Sequence, residues 1–227
     1  MCGINQDGRL KTIGKTTQVF IMKTYRGTHG LHNEENLDQM IGVIDNATNE
    51  FSSIMALRVD LHYPKIWDRG DTPSCFPNLE PGAISRFINS LNEILEASER
   101  RRERNGVRVH PNTLRSMWAK EFSESGKCHF HICLVFNKQA YYYLGDDKSE
   151  DSLKGMITKA WYSALDLELD DCPALVHFPD NCKYILDKYS PDYLYNYGML
   201  FVRLDYLTKL ESKIYQKGER NFGCSRK

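Results

Sequence analysis

Two histidines flank a phenylalanine in the apolar segment Cys128–Phe136, and their spacing suits metal binding. If this segment is a β-strand, His129 and His131 project from one face about 7 Å apart, while Phe130 points to the other. Two neutral imidazoles on one face can bind a single divalent metal ion. Because the same pattern also occurs as an ordinary pair of surface or hydrogen-bonded histidines, the metal hypothesis requires a third ligand.

Glu121 is the candidate third ligand. It lies near the end of the segment Leu114–Phe122, which a short turn separates from the histidine segment, so the two are predicted to pair as a β-hairpin. Residues paired across a hairpin come within about 5.5 Å of each other, which would bring the carboxylate beside both imidazoles. Two nitrogens and one carboxylate suit Mn²⁺ or Mg²⁺ and can also hold Zn²⁺. The alternative is that Glu121 is a solvated strand residue.

Tyr206 is a candidate nucleophile for a phosphodiester. On the predicted last helix, Tyr206, Lys209 and Lys213 fall on one face, away from an apolar stripe of Leu200, Leu204, Leu207 and Ile214. A phenol beside an ammonium group can attack a phosphate while the cation offsets the charge that develops. Tyr184, with Lys188 four residues later, is a rival, and simple packing is the alternative for either tyrosine.

Three further polar residues alternate along the apolar segment Ile54–Leu61 and the position after it. Arg58, Asp60 and His62 share one face of the strand predicted there. They can line a site as substrate-facing residues or as residues that orient metal ligands. The wet face of an ordinary half-exposed strand gives the same pattern.

Periodicity predicts the elements that must position these residues. Helices are expected behind Asn33, after Pro81, over roughly 152–165 and from near Tyr197, and strands over 54–61, 114–122, 128–136 and 175–178. Helices and strands alternate with long connections and include one tight hairpin. We therefore predict a single α+β domain whose central, largely antiparallel sheet is flanked by helices.

The N-terminal part of the chain shows less pattern. Residues 1–33 have little periodicity and are interpreted as a strand-poor arm that leads into the first helix. We therefore predict an N-terminal arm and helix over residues 1–53 and the main domain over residues 54–227.

Composition bounds the class of protein. The 227 residues are 41% apolar and 26% charged, which excludes wholesale disorder, and thirty basic residues balance thirty acidic ones. Zero net charge does not by itself indicate nucleic acid. The seven scattered cysteines contain no C-x-x-C pair and are expected to be reduced thiols. Because no apolar run reaches the roughly 18 residues of a membrane span, and the polar N-terminus lacks a signal-peptide core, we expect a cytoplasmic protein that does not enter the membrane.

Together, the glutamate, the His-hydrophobic-His segment and the later Tyr-x-x-Lys resemble the pattern of HUH endonucleases, the rolling-circle replication initiators and their relatives. The chain is more closely similar to the inovirus-type replication proteins, also described as the YagK/YfjJ C-terminal domain family of enterobacterial prophages. Seven short motifs in order carry this resemblance: Arg58-Val59-Asp60-Leu61-His62, Trp118-Ala119-Lys120-Glu121, His129-Phe130-His131, Ala160-Trp161 with Ala164-Leu165, Val176-His177-Phe178, Tyr206-Leu207-Thr208-Lys209 and Asn221-Phe222-Gly223-Cys224-Ser225.

The resemblance implies an HUH-type DNA endonuclease and strand transferase that starts rolling-circle replication of a phage, prophage or other mobile element. It makes His129, His131 and Glu121 the ligands of a divalent metal, Tyr206 the residue that forms a 5′-phosphotyrosine link, and Lys209 the cation at the phosphate. Arg58, Asp60, His62 and Lys213 become candidate substrate contacts or supports. Single-stranded or origin DNA would be the substrate, with a host helicase and polymerase as candidate partners in the bacterial cytoplasm.

Two features depart from the expected family pattern. Lys120 stands where an arginine is expected, and the gap of 75 residues between His131 and Tyr206 exceeds that of minimal viral initiators. Two other functions remain open on the same residues. One is a sequence-specific DNA-binding regulator with an inactive site, and the other is a metal-dependent nuclease that uses activated water and forms no covalent link.

Overall fold

The computed structural model describes residues 24–27, 29–64, 76–123, 128–146, 149–210, 213 and 220–226. The strands are β1 (Thr24–Gly27), β2 (Gly30–Asn33), β3 (Ser53–His62), β4 (Arg115–Phe122), β5 (Cys128–Asn137), β6 (Val176–His177), β7 (Lys183–Asp187) and β8 (Phe222–Cys224). The helices are α1 (Glu34–Glu50), α2 (Ala83–Arg104), α3 (Leu153–Ala164) and α4 (Tyr193–Asp205), and a 3₁₀ turn, Tyr206–Thr208, follows α4.

Six strands form the central sheet, in the order β6-β3-β5-β4-β8, and β7 pairs with the same strand as β6. Every described pairing in this sheet is antiparallel. Helices cover both faces of β3, so seven of its first eight positions are buried and its sequence is a nearly continuous apolar run. The predicted α+β domain with a largely antiparallel sheet is confirmed.

The two faces of the sheet carry separate apolar cores. Helices α2 and α3 pack on one face, where Phe87 and Trp161 are fully buried against strand residues such as Leu57. Helices α1 and α4 pack on the other face, where Met40 and Leu200 join the second core. The polar residues of the candidate site lie on this second face beyond its apolar core, and α4 borders them through Met199, Val202 and Arg203.

Local capping accounts for the helix starts that the sequence predicted. The Asn33 side chain accepts a hydrogen bond from the Asn36 backbone at 3.0 Å, and Ser152 accepts one from Gly155 at 2.9 Å. The helix expected after Pro81 begins at Ala83, after Gly82 in a left-handed conformation at φ 90°. These are the positions where short-range chemistry determines the boundary.

Three features differ from the sequence predictions. Within the supposed strand-poor arm, residues 24–27 and 30–33 pair as β1 and β2, and strands β7 and β8 were not expected. The last helix begins at Tyr193 rather than near Tyr197. Helix α1 packs against the central sheet, and the division of the chain at residue 53 stays a prediction.

Among the described helices, none combines the length and apolarity that crossing a membrane requires.

Candidate metal centre and tyrosine

Strands β3, β5 and β4 lie side by side and present one row of polar residues. Glu121 pairs with His129, as predicted from the hairpin, and His129 pairs in turn with His62 on the other side. Asp60 pairs with His131. Because paired residues in a sheet project from the same face, the three strands gather these side chains at one end of the α1–α4 face.

Glu121, His129 and His131 form a compact set of possible metal ligands. Their ligand atoms all lie within 4.8 Å of one another, and no other such group of histidine, cysteine or acidic residues occurs in the described part of the chain. The two Nε2 atoms of the histidines are 3.1 Å apart, and Glu121 Oε2 lies 3.5 Å from His131 Nε2. Ligands held about 2.0–2.2 Å from one ion lie about 3.0–3.5 Å from each other, so this donor set fits a divalent metal.

Asp60 and Arg58 fix the orientation of His131. His131 Nδ1 lies 2.6 Å from Asp60 Oδ1, and Arg58 donates to the same oxygen from Nε at 3.1 Å and Nη2 at 3.0 Å. A hydrogen bond at Nδ1 leaves Nε2 directed at the proposed ion, which is the usual arrangement of a ligating histidine with a carboxylate behind it. Asp60 therefore holds the ring of His131, a candidate ligand, and Arg58 holds Asp60.

The contacts among Arg58, Asp60 and His131 shift the pKa values of Asp60 and His131. Burial alone would raise the pKa of Asp60, but the His131 hydrogen bond and the Arg58 charge outweigh it and hold the pKa well below its ordinary value. Burial alone would lower the pKa of His131, but hydrogen bonds with Asp60 and Glu121 raise it. Metal binding must displace the proton that this raised pKa favours, so metal affinity should increase with pH.

Two more histidines border the cluster. The His62 ring stacks on His129 with 5.6 Å between centroids and an interplanar angle of 16°, and burial together with His129 lowers the pKa of His62. The exposed His177 places Nδ1 3.7 Å from Asp60 Oδ2. His62 therefore lies beside the candidate ligand His129 and outside the set of three.

The Tyr206 hydroxyl reaches the metal-ligand cluster. It donates a hydrogen bond to Glu121 Oε2 at 3.3 Å, and its ring meets the His131 ring edge-on at 5.4 Å between centroids. Lys209 Nζ lies 3.5 Å from the centre of the Tyr206 ring and 3.7 Å from Glu121 Oε2. The phenol, a cation and the ligand set thus meet in one place, although 75 residues separate Tyr206 from His131.

The helical spacing that was predicted for Tyr206, Lys209 and Lys213 is wrong. Helix α4 ends at Asp205, Tyr206 opens a 3₁₀ turn, and Lys209 is extended and forms a β-bridge with His32. Contacts with β2 end the helix although the apolar pattern continues. His32 Nδ1 lies 3.0 Å from the Asp205 carbonyl oxygen, which in a longer helix would accept a backbone hydrogen bond instead. Ile214, the last member of the predicted stripe, lies outside the described residues.

Lys213 has a structural position that its sequence did not predict. It is buried, and its Nζ donates a hydrogen bond to the Leu207 carbonyl oxygen inside the 3₁₀ turn. Burial lowers the pKa of Lys213 to about 8, although the nearby Glu121 carboxylate acts in the opposite direction. Lys213 therefore supports the backbone that carries Tyr206.

No pattern in the sequence indicated that the β1–β2 hairpin belongs to the site. His32 is fully buried, and its Nδ1 lies 3.0 Å from Thr208 Oγ1 as well as from the Asp205 carbonyl. His29 Nδ1 lies 2.6 Å from Asp205 Oδ1, and the His29 ring meets the Tyr206 ring edge-on at 5.4 Å. These contacts span more than 170 positions, so no local spacing could have signalled them; two histidines in an aperiodic segment were the sole clue.

A cleft of about 360 Å³ opens beside Tyr206. Arg58, His131 and Arg203 line it together with Tyr184, the rival tyrosine. Tyr184 lies on β7 and pairs with Ala56, so Lys188 is not its neighbour on a helix and that part of the rival hypothesis is wrong. Tyr184 still faces the cleft, so its substitution is a matched control for that of Tyr206.

Comparison with known proteins identifies the family. The profile of the YagK/YfjJ C-terminal domain matches residues 15–225, and the chain belongs to that family. It is 58% identical to the uncharacterized protein YagK of Escherichia coli strain K12 over 90% of this chain and 98% of the relative. It is 40% identical to the uncharacterized protein YfjJ of the same strain over 89% and 99% of the two chains. No solved structure is a significant match.

Proposed function

We propose that this member of the YagK/YfjJ family nicks and rejoins single-stranded DNA through a covalent link to Tyr206. The observation that carries the proposal is the 3.3 Å contact between the Tyr206 hydroxyl and Glu121, a member of the metal-ligand set. A tyrosine placed this close to a metal-ligand cluster can attack the phosphate that the cluster binds.

The residues at the site supply the groups that this nicking reaction needs. A divalent ion on His129, His131 and Glu121, either Mg²⁺ or Mn²⁺ or else Zn²⁺, would polarise the scissile phosphate. The Tyr206 oxygen attacks phosphorus as the bond from phosphorus to the 3′ oxygen breaks, and the proton that leaves the phenol is balanced by the proton that the departing 3′ oxygen takes up. The products are a 5′-phosphotyrosine and a strand with a free 3′-hydroxyl, and attack by a later 3′-hydroxyl reverses the step. Lys209 offsets negative charge on the phosphate.

The resemblance to HUH replication initiators supplies the biological role within this proposal. Nicking would initiate rolling-circle replication of a phage, prophage or other mobile element, because the free 3′-hydroxyl is a primer. The substrate would be single-stranded or locally melted origin DNA in the bacterial cytoplasm, where a host helicase and polymerase would extend the nick. The recessed position of the ligand cluster, with Glu121 only 2% exposed, favours a flexible single strand over a stiff duplex.

Formation of a covalent adduct tests the proposal. The full chain is incubated with Mn²⁺ and end-labelled single-stranded oligonucleotides tiled across the DNA that flanks its own gene, and adducts are resolved on a denaturing gel. The wild type should form a protein–DNA adduct that protease destroys. Tyr206→Phe should form none, whereas Tyr184→Phe, a matched change in the same cleft, should retain it.

Three outcomes contradict the proposal. Tight binding without cleavage in the wild type identifies a DNA-binding regulator. Cleavage that persists in Tyr206→Phe and disappears in His129→Ala identifies a nuclease that activates water. Loss of the adduct in Tyr184→Phe and its retention in Tyr206→Phe assigns the link to the other tyrosine.

A further inference from the structure

One side of α4 is apolar, exposed to solvent and aligned with the candidate nucleophile. Tyr195, Met199 and Val202 are 69%, 48% and 45% exposed. Side chains separated by three or four positions on a helix lie on the same side, and Tyr206 follows Val202 by four positions with helical backbone angles. We call Tyr195, Met199 and Val202 the α4 stripe.

The α4 stripe leads directly into the cleft. Met199 and Val202 line the cleft together with Tyr206 and His131, and Tyr195 lies one turn further out along the helix. A rise of 1.5 Å per residue gives a path of about 16 Å from Tyr195 to Tyr206. The opposite side of α4 is buried in the core through Leu200 and Leu204, so the stripe is not needed to attach the helix.

Positive charge meets the α4 stripe inside the cleft. Arg203, the residue after Val202, and Arg58 from β3 both line the cleft wall. The Arg203 Nε atom is buried and has no hydrogen-bond partner among the described residues. A phosphate oxygen that enters the cleft would provide the acceptor this donor lacks.

We infer that the α4 stripe is a stacking surface for the bases of single-stranded DNA and guides the strand to Tyr206; this inference rests on the proposed function. Proteins that bind single strands combine cations along the backbone with aromatic side chains under the bases. Exposed Tyr195 supplies the aromatic face, and Arg203 supplies a cation at the inner end, whereas Arg58 is already paired with Asp60. The core of a protein–protein interface is depleted of charge, whereas this apolar surface ends among arginines and histidines. A duplex keeps its bases paired and cannot use the stripe.

Equilibrium binding without metal tests the inference apart from cleavage. Fluorescence anisotropy measures the affinity of the full chain for labelled oligo(dT) of about 20 nucleotides in a chelating buffer. Tyr195→Ala should weaken binding about tenfold, and Tyr195→Phe, which keeps the ring, should change it by less than about twofold. Leu194→Ala is the matched control, because Leu194 is 82% exposed on the same helix and points away from the stripe; it should bind as the wild type does.

Salt dependence separates stacking from charge. The slope of log affinity against log salt concentration should be the same for Tyr195→Ala and the wild type, because no phosphate contact is lost. Arg203→Gln should reduce that slope by about one. A changed slope in Tyr195→Ala would mean that the substitution disturbs the cations and not a stacking surface.

Several results overturn the inference. These are failure of the wild type to bind oligo(dT), unchanged affinity in Tyr195→Ala, or an equal loss of affinity for a duplex of the same length. An oligomer in light scattering that Tyr195→Ala dissociates would show that the stripe joins copies of this chain. Adduct formation that is indifferent to Tyr195→Ala rejects the stripe and keeps the proposed function. Binding that depends on the α4 stripe but yields no adduct keeps the stripe and rejects the proposed function.

Discussion

The metal-ligand region and the tyrosine region meet at Glu121, but they are held in place differently. His129, His131 and Glu121 lie on adjacent strands β4 and β5, whose hydrogen bonds run over eight residue pairs. Tyr206 lies on a 3₁₀ turn that the distant His32 and the buried Lys213 hold through backbone carbonyl oxygens. The ligand region is therefore a local hairpin, whereas the tyrosine region depends on contacts with β2, more than 170 positions away.

Because the two regions are held in place differently, substitutions should affect each of them separately. Closing a hairpin orders a few residues, so the ligand set should form whenever the central sheet forms. The Tyr206 turn requires the β1–β2 hairpin and Lys213 to be docked as well. Substitutions in the ligand region should therefore reduce metal binding. Substitutions in the tyrosine region should reduce formation of the covalent adduct with little change in metal affinity.

The largest expected effect comes from His131→Ala. Loss of one nitrogen ligand should remove measurable Mn²⁺ binding in calorimetry and reduce adduct formation at least about 10³-fold, which is about 4 kcal/mol of transition-state stabilisation. Tyr206→Phe should abolish the adduct and retain wild-type metal affinity. If Tyr206→Phe also lost the metal, the two regions would not be separable, and if His131→Ala bound Mn²⁺ normally, the ligand set would be wrong.

A pH effect of similar size is expected from Lys213. Burial lowers its pKa to about 8 in the folded protein, from the ordinary 10.5. Between these two values the unfolded chain binds a proton that the folded chain does not, so the free energy of unfolding should rise with pH, by on the order of 3 kcal/mol. Urea unfolding at several pH values should show that rise in the difference between the wild type and Lys213→Met, because burial raises the pKa of Cys133 and of Tyr141 in both proteins and acts in the opposite direction. Cysteines and tyrosines that titrate in the same range are common to both proteins, so a flat difference curve would contradict the assignment.

A smaller loss of stability is expected from His32→Ala. The substitution leaves a cavity at a fully buried position and removes a partner from the Asp205 carbonyl and the Thr208 hydroxyl, which together cost about 2–3 kcal/mol. Urea unfolding measures this loss. Adduct formation should fall in the protein that remains folded, while its Mn²⁺ affinity stays within about twofold of the wild type. His110→Ala, in the segment between α2 and β4, is the control; an equal effect there would show that the turn does not depend on His32.

The contrast between the two regions also shows what the sequence can predict. The His129–Glu121 pairing was predictable because two alternating apolar segments flank one short turn, and the register follows from it. The end of α4 was not, because Leu207 continues the helical period of Leu200 and Leu204, while distant contacts such as that of His32 with the Asp205 carbonyl oxygen end the helix. The three-residue strand β8 is likewise too short to have a pattern of its own and exists through its pairing with β4.

The smallest effect that still distinguishes the regions comes from a pair of isosteric substitutions. Asp60→Asn removes the carboxylate that holds His131 Nδ1 and should lower Mn²⁺ affinity about 10- to 100-fold, which is about 1.4–2.7 kcal/mol. Asp205→Asn makes the same change beside Tyr206, where the carboxylate holds His29, and should leave metal affinity unchanged. Titration calorimetry of both variants at one pH is the measurement. Equal losses in both variants would mean that metal affinity depends on the total charge around the site. A loss in Asp60→Asn alone would mean that it depends on the contact between Asp60 and the candidate ligand His131.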